Sequence, residues 1–137
     1  MIEDIKLLSA YMTVNSETKD EAIAVAHSVM NRMMNSLESA MTDSMPQMSQ
    51  EKTDKFIKIV RGLIKKDDEN VFKRNMIYAS AVINGSIDDP TNGADSFSSE
   101  KVQGSKKIGE LYFSKSQTEG VISEQPSKPG RKKRKMK

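Results

Sequence analysis

Between Ala22 and Leu37 a long apolar pattern runs through Ala22, Ile23, Val25, Ala26, Val29, Met30, Met33, Met34 and Leu37. A stripe that wide on a helix has to be wrapped by other segments. Just ahead of it, Thr18-Lys19-Asp20-Glu21 has capping-box spacing, in which a hydroxyl and a carboxylate each satisfy a free backbone donor. The pattern predicts a long central helix over about 18–39, the most buried of the molecule. The rest of the sequence supplies its wrapping. Ile2, Ile5, Leu8 and Met12 predict a helix over about 2–12, interrupted by Asn15 and Ser16. Phe56, Ile57, Val60, Leu63 and Ile64 predict one over about 51–65. Val71, Phe72, Met76, Ala79, Val82 and Ile83 predict another over about 69–84, stopping at Asn84-Gly85. Residues 40–51, with Pro46, and 85–98 read as loops, followed by a short element near 99–113. No strand alternation of any length stands out, although a small hairpin fits within 85–113. The fold class is mainly α.

Charge divides the chain in two. Apolar residues make up 36% of 137, below the roughly 45–50% of a typical globular chain (a count that includes Gly), so the core is modest. Residues 128–137 hold seven Lys or Arg and no acid; the remaining 127 residues hold 15 bases and 19 acids, a net of −4. The sequence pI near 9.0 therefore belongs to the end of the chain. The stretch 114–130, rich in Ser, Gln, Glu, Gly and Pro, lacks the apolar surface that would offset its ordering entropy. These observations divide the chain into a folded domain, 1–114, and a disordered basic tail, 115–137. The absence of cysteine excludes disulfide scaffolds, thiolate zinc sites and cysteine nucleophiles. No apolar run is long enough to cross a bilayer, and Met-Ile-Glu-Asp lacks the features of a signal peptide, which leaves the localisation unassigned.

Few residues carry obvious chemistry. His27 is the lone imidazole and sits in the central helix, without metal-ligand spacing, a serine elbow or thiols. No phosphate loop or calcium loop occurs, so neither a metal nor a cofactor is expected. Met30, Met33 and Met34 read as adaptable core filler; Met41, Met45 and Met48 either cover the core or line a groove. The most specific local feature is Asp88-Asp89-Pro90-Thr91-Asn92-Gly93-Ala94-Asp95-Ser96-Phe97. Pro90 biases Asp89 to extended geometry, and Asn92-Gly93 suits a turn needing φ > 0. The loop is either an ordinary tight turn or one wall of a cleft.

Three segments resemble a known family. Ala24-Val25-Ala26-His27-Ser28-Val29-Met30-Asn31-Arg32 resembles the helix motif of SleB-like cell-wall hydrolases, a lysozyme-related group that includes spore-cortex-lytic enzymes and phage proteins. Ala79 through Asn84-Gly85, then Asp89-Pro90-Thr91-Asn92-Gly93-Ala94, resembles that family's helix, glycine and loop. Ile108-Gly109-x-x-Tyr112-Phe113 resembles its closing segment, with Leu111 where histidine is common. The resemblance covers about residues 7–113 and implies a helical lysozyme-like domain that binds the glycan strand of peptidoglycan. It implies substrate contacts from Asp89, Thr91, Asn92, Gly93 and Tyr112, and a groove with the segment ahead of the central helix on one wall and the Asn92-Gly93 turn on the other. The family's acid is a glutamate that protonates the glycosidic oxygen. Counting back from Ala24 places that acid at Thr13 and the motif's second glutamate at Glu17. A threonine hydroxyl cannot protonate a leaving group at neutral pH. Either Glu17 acts through a shifted loop, as in a peptidoglycan hydrolase or lytic transglycosylase, or the cleft is kept and the chemistry lost.

The tail points to a different class. Arg131, Lys132, Lys133, Arg134 and Lys135 either attract nucleic acid or an anionic surface, without sequence readout since no aromatic is interleaved, or serve as a disordered solubilising end. A lysozyme-like body with such a tail suits a phage virion component held beside a genome or other protein subunits.

Overall fold

The computed structural model describes residues 2–33, 36–42 and 48–115. In chain order these form α1 (Ile2–Asn15), α2 (Lys19–Arg32), α3 (Leu37–Thr42), α4 (Gln50–Val60), α5 (Lys66–Ile83), β1 (Ser96–Ser98), β2 (Lys106–Ile108) and β3 (Leu111–Ser114). The described residues are mainly helical with one small sheet, as the periodicity predicts. The tail residues Arg131, Lys132, Lys133, Arg134 and Lys135, and Met45, lie outside the described residues.

α2 starts where the capping box places it. Thr18 is the N-cap, its hydroxyl accepting from the Glu21 amide at 3.2 Å. The helix is buried continuously from Glu21 to Val29. It ends at Arg32, well short of the expected 39, because Met33 turns to extended backbone. Ser36 then opens a new helix by accepting from the Ser39 amide at 3.1 Å, which accounts for α3 inside the expected helix and loop.

α1 shares the centre of the molecule. It is buried from Leu8 to Asn15, polar residues included, and packs chiefly on α5 and α4. Ser9, Thr13 and Asn15 satisfy themselves on carbonyls one turn back: Ser9 Oγ donates to Ile5 O at 2.6 Å, Thr13 Oγ1 to Ser9 O at 2.7 Å, and Asn15 Nδ2 to Tyr11 O at 3.0 Å. A hydroxyl paired in this way enters the core without the cost of a bare donor. Ser49 caps α4 by accepting from the Lys52 amide at 3.2 Å. That helix stops at Val60, earlier than expected, where Gly62 turns to φ +83°. Three acids, Asp67, Asp68 and Glu69, occupy the first turn of α5, where the helix dipole favours them, and α5 closes at Asn84-Gly85 as expected.

The segment expected to be loop and short element holds a three-stranded antiparallel sheet in the order β1-β3-β2. Phe97 pairs with Phe113, and Ile108 with Leu111 across the Gly109-Glu110 turn. Tyr11 joins the sheet to the helices, meeting Phe97 edge-on at 6.2 Å and Phe56 at 6.4 Å between ring centres. Tyr11, Phe113, Leu8, Met12, Val25 and Val29 are fully buried, each contributing about 1.5–3 kcal/mol of hydrophobic stabilisation.

Candidate functional site

The first two segments that resemble the hydrolases meet in space. Asn31, in the last turn of α2, donates from Nδ2 to Asp89 Oδ2 at 2.9 Å and to the Ala94 carbonyl at 2.8 Å. The Asp89 carboxylate is the hub of the loop. It also accepts from the Thr91 hydroxyl at 2.6 Å, the Thr91 amide at 2.8 Å and the Gly93 amide at 3.0 Å. Burial alone would raise its pKa; the Thr91 hydroxyl, the Asn31 amide and the two backbone amides more than reverse that and hold it down at about 2. Thr91 is buried and accepts from the Ala94 amide at 3.1 Å. Asn92 takes φ +59° and Gly93 φ +87°, the left-handed turn their types suit.

The third segment reaches the other end of α2. The Glu21 carboxylate, on a residue 2% exposed, accepts from the Glu17 amide at 2.8 Å and the Glu110 amide at 2.6 Å. Burial raises its pKa, and the amides of Glu110, Glu17 and Thr18 outweigh that, leaving it lowered. Gly109 sits at φ +64°, and a Cβ there would run into the Glu21 carboxylate. The glycine is thus required twice, by backbone angle and by space.

The sequence-derived site residues do not gather around one groove. Thr13 is buried, donates to Ser9 O and accepts from Asn75 Nδ2 at 3.0 Å. Glu17 is exposed on the α1–α2 connection. Asp89 and Thr91 turn their polar atoms into their own loop. Asn92 and Gly93 are exposed at its tip. Tyr112 alternates with Leu111 and Phe113, which places it on the outer face of the sheet, where Lys107 lies 5.8 Å from its ring centre. The Asn92-Gly93 turn therefore does not form the facing wall expected of it. The strand that follows, β1, forms that wall instead.

The groove lies between the C-terminal end of α1, the N-terminal end of α4 and β1, with a volume of about 300 Å³. Tyr11 and Asn15 line it from α1, Arg32 from α2, Ser49 and Lys52 from α4. Ser96, Phe97 and Ser98 close the opposite side. Among the described residues, none that lines it is an acid. A second, more open depression of about 380 Å³ lies between Ile23, Ile87, Pro90 and Ile108. Glu17 lines neither. Sequence reasoning missed Asn15, Lys52 and β1, and gave Arg32 no role although it closes the helix motif. His27 is buried, with Nε2 lacking a hydrogen-bond partner, and no cluster of three metal-ligating side chains occurs among the described residues. No helix among them is long and apolar enough to cross a membrane. No family model matches the chain, and neither a curated protein nor a solved structure matches it.

Proposed function

We propose that this chain is a lysozyme-like domain, resembling enzymes that cleave the glycan strand of peptidoglycan, which keeps a glycan-sized groove and has lost the catalytic acid. Its role is then binding or structural, as in a phage virion component. One observation carries the reading: among the described residues, the groove between helices and sheet is lined by hydroxyls, cations and aromatic rings and by no carboxyl group. General-acid cleavage of a glycoside needs a carboxyl beside the bond. Thr13 cannot substitute, because its hydroxyl is committed to Ser9 and Asn75 inside the helix packing. The contacts that Asn31 of α2 makes with Asp89 and the Ala94 carbonyl support the kinship, since they use residues on which the resemblance rests.

The test is incubation of the full chain with purified sacculi. The expected outcome is co-sedimentation without release of soluble muropeptides, unchanged in Glu17→Gln. Thr13→Glu is expected to lower Tm without restoring cleavage, because that position faces Asn75 rather than the groove. Muropeptide release that disappears in Glu17→Gln would instead establish an active hydrolase, and failure to sediment would remove the glycan reading.

A further inference from the structure

The open depression between the start of α2, the 87–90 segment and β2 combines apolar surface with acids. Ile23, Ile87, Pro90 and Ile108 line it, and Asp20 and Asp88 add exposed carboxylates that form no ion pair among the described residues. Its remaining charge, Lys106, is turned to the Pro90 carbonyl, Nζ donating at 2.7 Å. Two more exposed acids stand at the same end of α2. The amides of Glu17 and Glu110 both donate to the Glu21 carboxylate, at 2.8 and 2.6 Å, which brings those two residues together next to Asp20. The groove and a third depression lack this bias. Arg32 and Lys52 line the groove, and a depression of about 330 Å³ on α4 sets Glu51, Asp54 and Asp68 against Lys55, Lys58 and Lys65. Apolar surface bordered by unpaired acids suits an apolar side chain flanked by cations.

The chain itself holds a segment of that pattern. Met136 lies between Lys135 and Lys137 in the cationic run, outside the described residues. Val121-Ile122 is more apolar but lies between Glu119 and Glu124, which the acids of the depression would repel. Lys115, where the described residues end, lies against the loop that carries Asp88 and Pro90: its Cε is 3.4 Å from where a Cβ on Gly93 would stand. From there to Met136 is 21 residue steps. A flexible chain of that length has an r.m.s. span of about 25 Å, and such a tether gives an effective concentration in the mM range. A contact with a dissociation constant of about 1 mM is then half formed.

We propose that Lys135-Met136-Lys137 docks in this depression, with Met136 against Ile23, Ile87 and Ile108 and the two lysines beside Asp20 and Asp88, so that the body shelters its own cationic run from nucleic acid. This docking is independent of the glycan reading, since it uses neither the groove nor its lining residues.

The experiment uses the full chain. Because the chain has no cysteine, Lys133→Cys carries a single nitroxide label. The label is expected to broaden the amide signals of Ile23, Ile87, Asp88 and Ile108 selectively, leaving those of Lys52 and Lys58 sharp. Mixing spin-labelled protein with isotopically enriched, unlabelled protein is expected to give no such broadening; broadening in the mixture alone makes a second copy the occupant and overturns docking within the chain. Met136→Ser leaves every charge in place. It is expected to abolish the selective broadening and to tighten duplex-DNA binding about twofold, as a half-sheltered run is released. Asp20→Asn combined with Asp88→Asn, both on exposed residues, is expected to abolish the broadening as well, and added salt to weaken it. Broadening that is spread evenly over the body, centred on the groove or unchanged by Met136→Ser overturns the proposal. So does a DNA affinity that Met136→Ser leaves where it was.

Discussion

At Asp89 the carboxylate serves the loop before it could serve any ligand. Two backbone amides, a hydroxyl and the Asn31 amide all donate to it. A folded-state pKa of about 2, against an ordinary 3.8, means that the fold favours the ionised form. The resulting stabilisation is fully present above about pH 4 and is lost as pH falls through about 2. Asp89→Asn is therefore expected to lower stability at neutral pH by about 1–2 kcal/mol, solvent screening keeping the loss modest. It should also flatten the fall in Tm between about pH 4 and pH 2 relative to the parent protein. Thr13 presents the same principle in neutral form. The hydroxyl proton goes to Ser9, which leaves an oxygen lone pair for the Asn75 amide and fixes which way that amide points. Asp89, Thr91 and Thr13 are thus committed to internal contacts, while Arg32 keeps two buried donors without a partner.

Among the elements, the β2–β3 turn and the start of α2 are a single unit. Gly109 leaves room for the Glu21 carboxylate, and the Glu110 amide donates to it. Gly109→Ala is expected to cost about 2–4 kcal/mol, combining a disfavoured backbone angle with a steric clash. Trimming Glu21 to alanine in the same chain should recover the steric part, so a double-mutant cycle by chemical denaturation will be non-additive. Strictly additive losses would separate the turn from the helix. The helices were largely legible in the sequence, because Val25, Val29, Phe56 and Val82 recur at helical spacing. Three features were not. The buried half of α1 hides behind Ser9, Thr13 and Asn15, which count as polar until their back-bonds to the preceding turn are seen. The break after Arg32 depends on Ser36 capping a new helix within an unbroken apolar pattern. The strands run only three or four residues, too short to alternate visibly, and β1 is Ser-Phe-Ser. The groove was illegible for the same reason, since one wall is β1 and the others come from the ends of three helices.

Over the whole molecule, charge and shape divide the labour. Residues 1–127 sum to −4 while the last ten carry seven cations, so the cationic run and the residues that line the groove fall in different parts of the sequence. Truncation after Ser127 is expected to abolish salt-dependent binding to duplex DNA, measured by fluorescence anisotropy, while leaving sacculus sedimentation intact. DNA binding unchanged by the truncation would place the nucleic-acid contact on the body. The sheet itself is small, and its position against the helices is set largely from α2. Glu21 holds the β2–β3 turn at one end of that helix, while Asn31 and Arg32 hold the segment before β1 at the other. Asn31 lies ten residue steps along the helix from Glu21, a span of about 15 Å. α2 is thereby a gauge rod: one residue added within it would swing the far grip by about 100° around the axis. Surface loops in such a chain are free to lengthen over evolutionary time, whereas the residue count of this one helix is not.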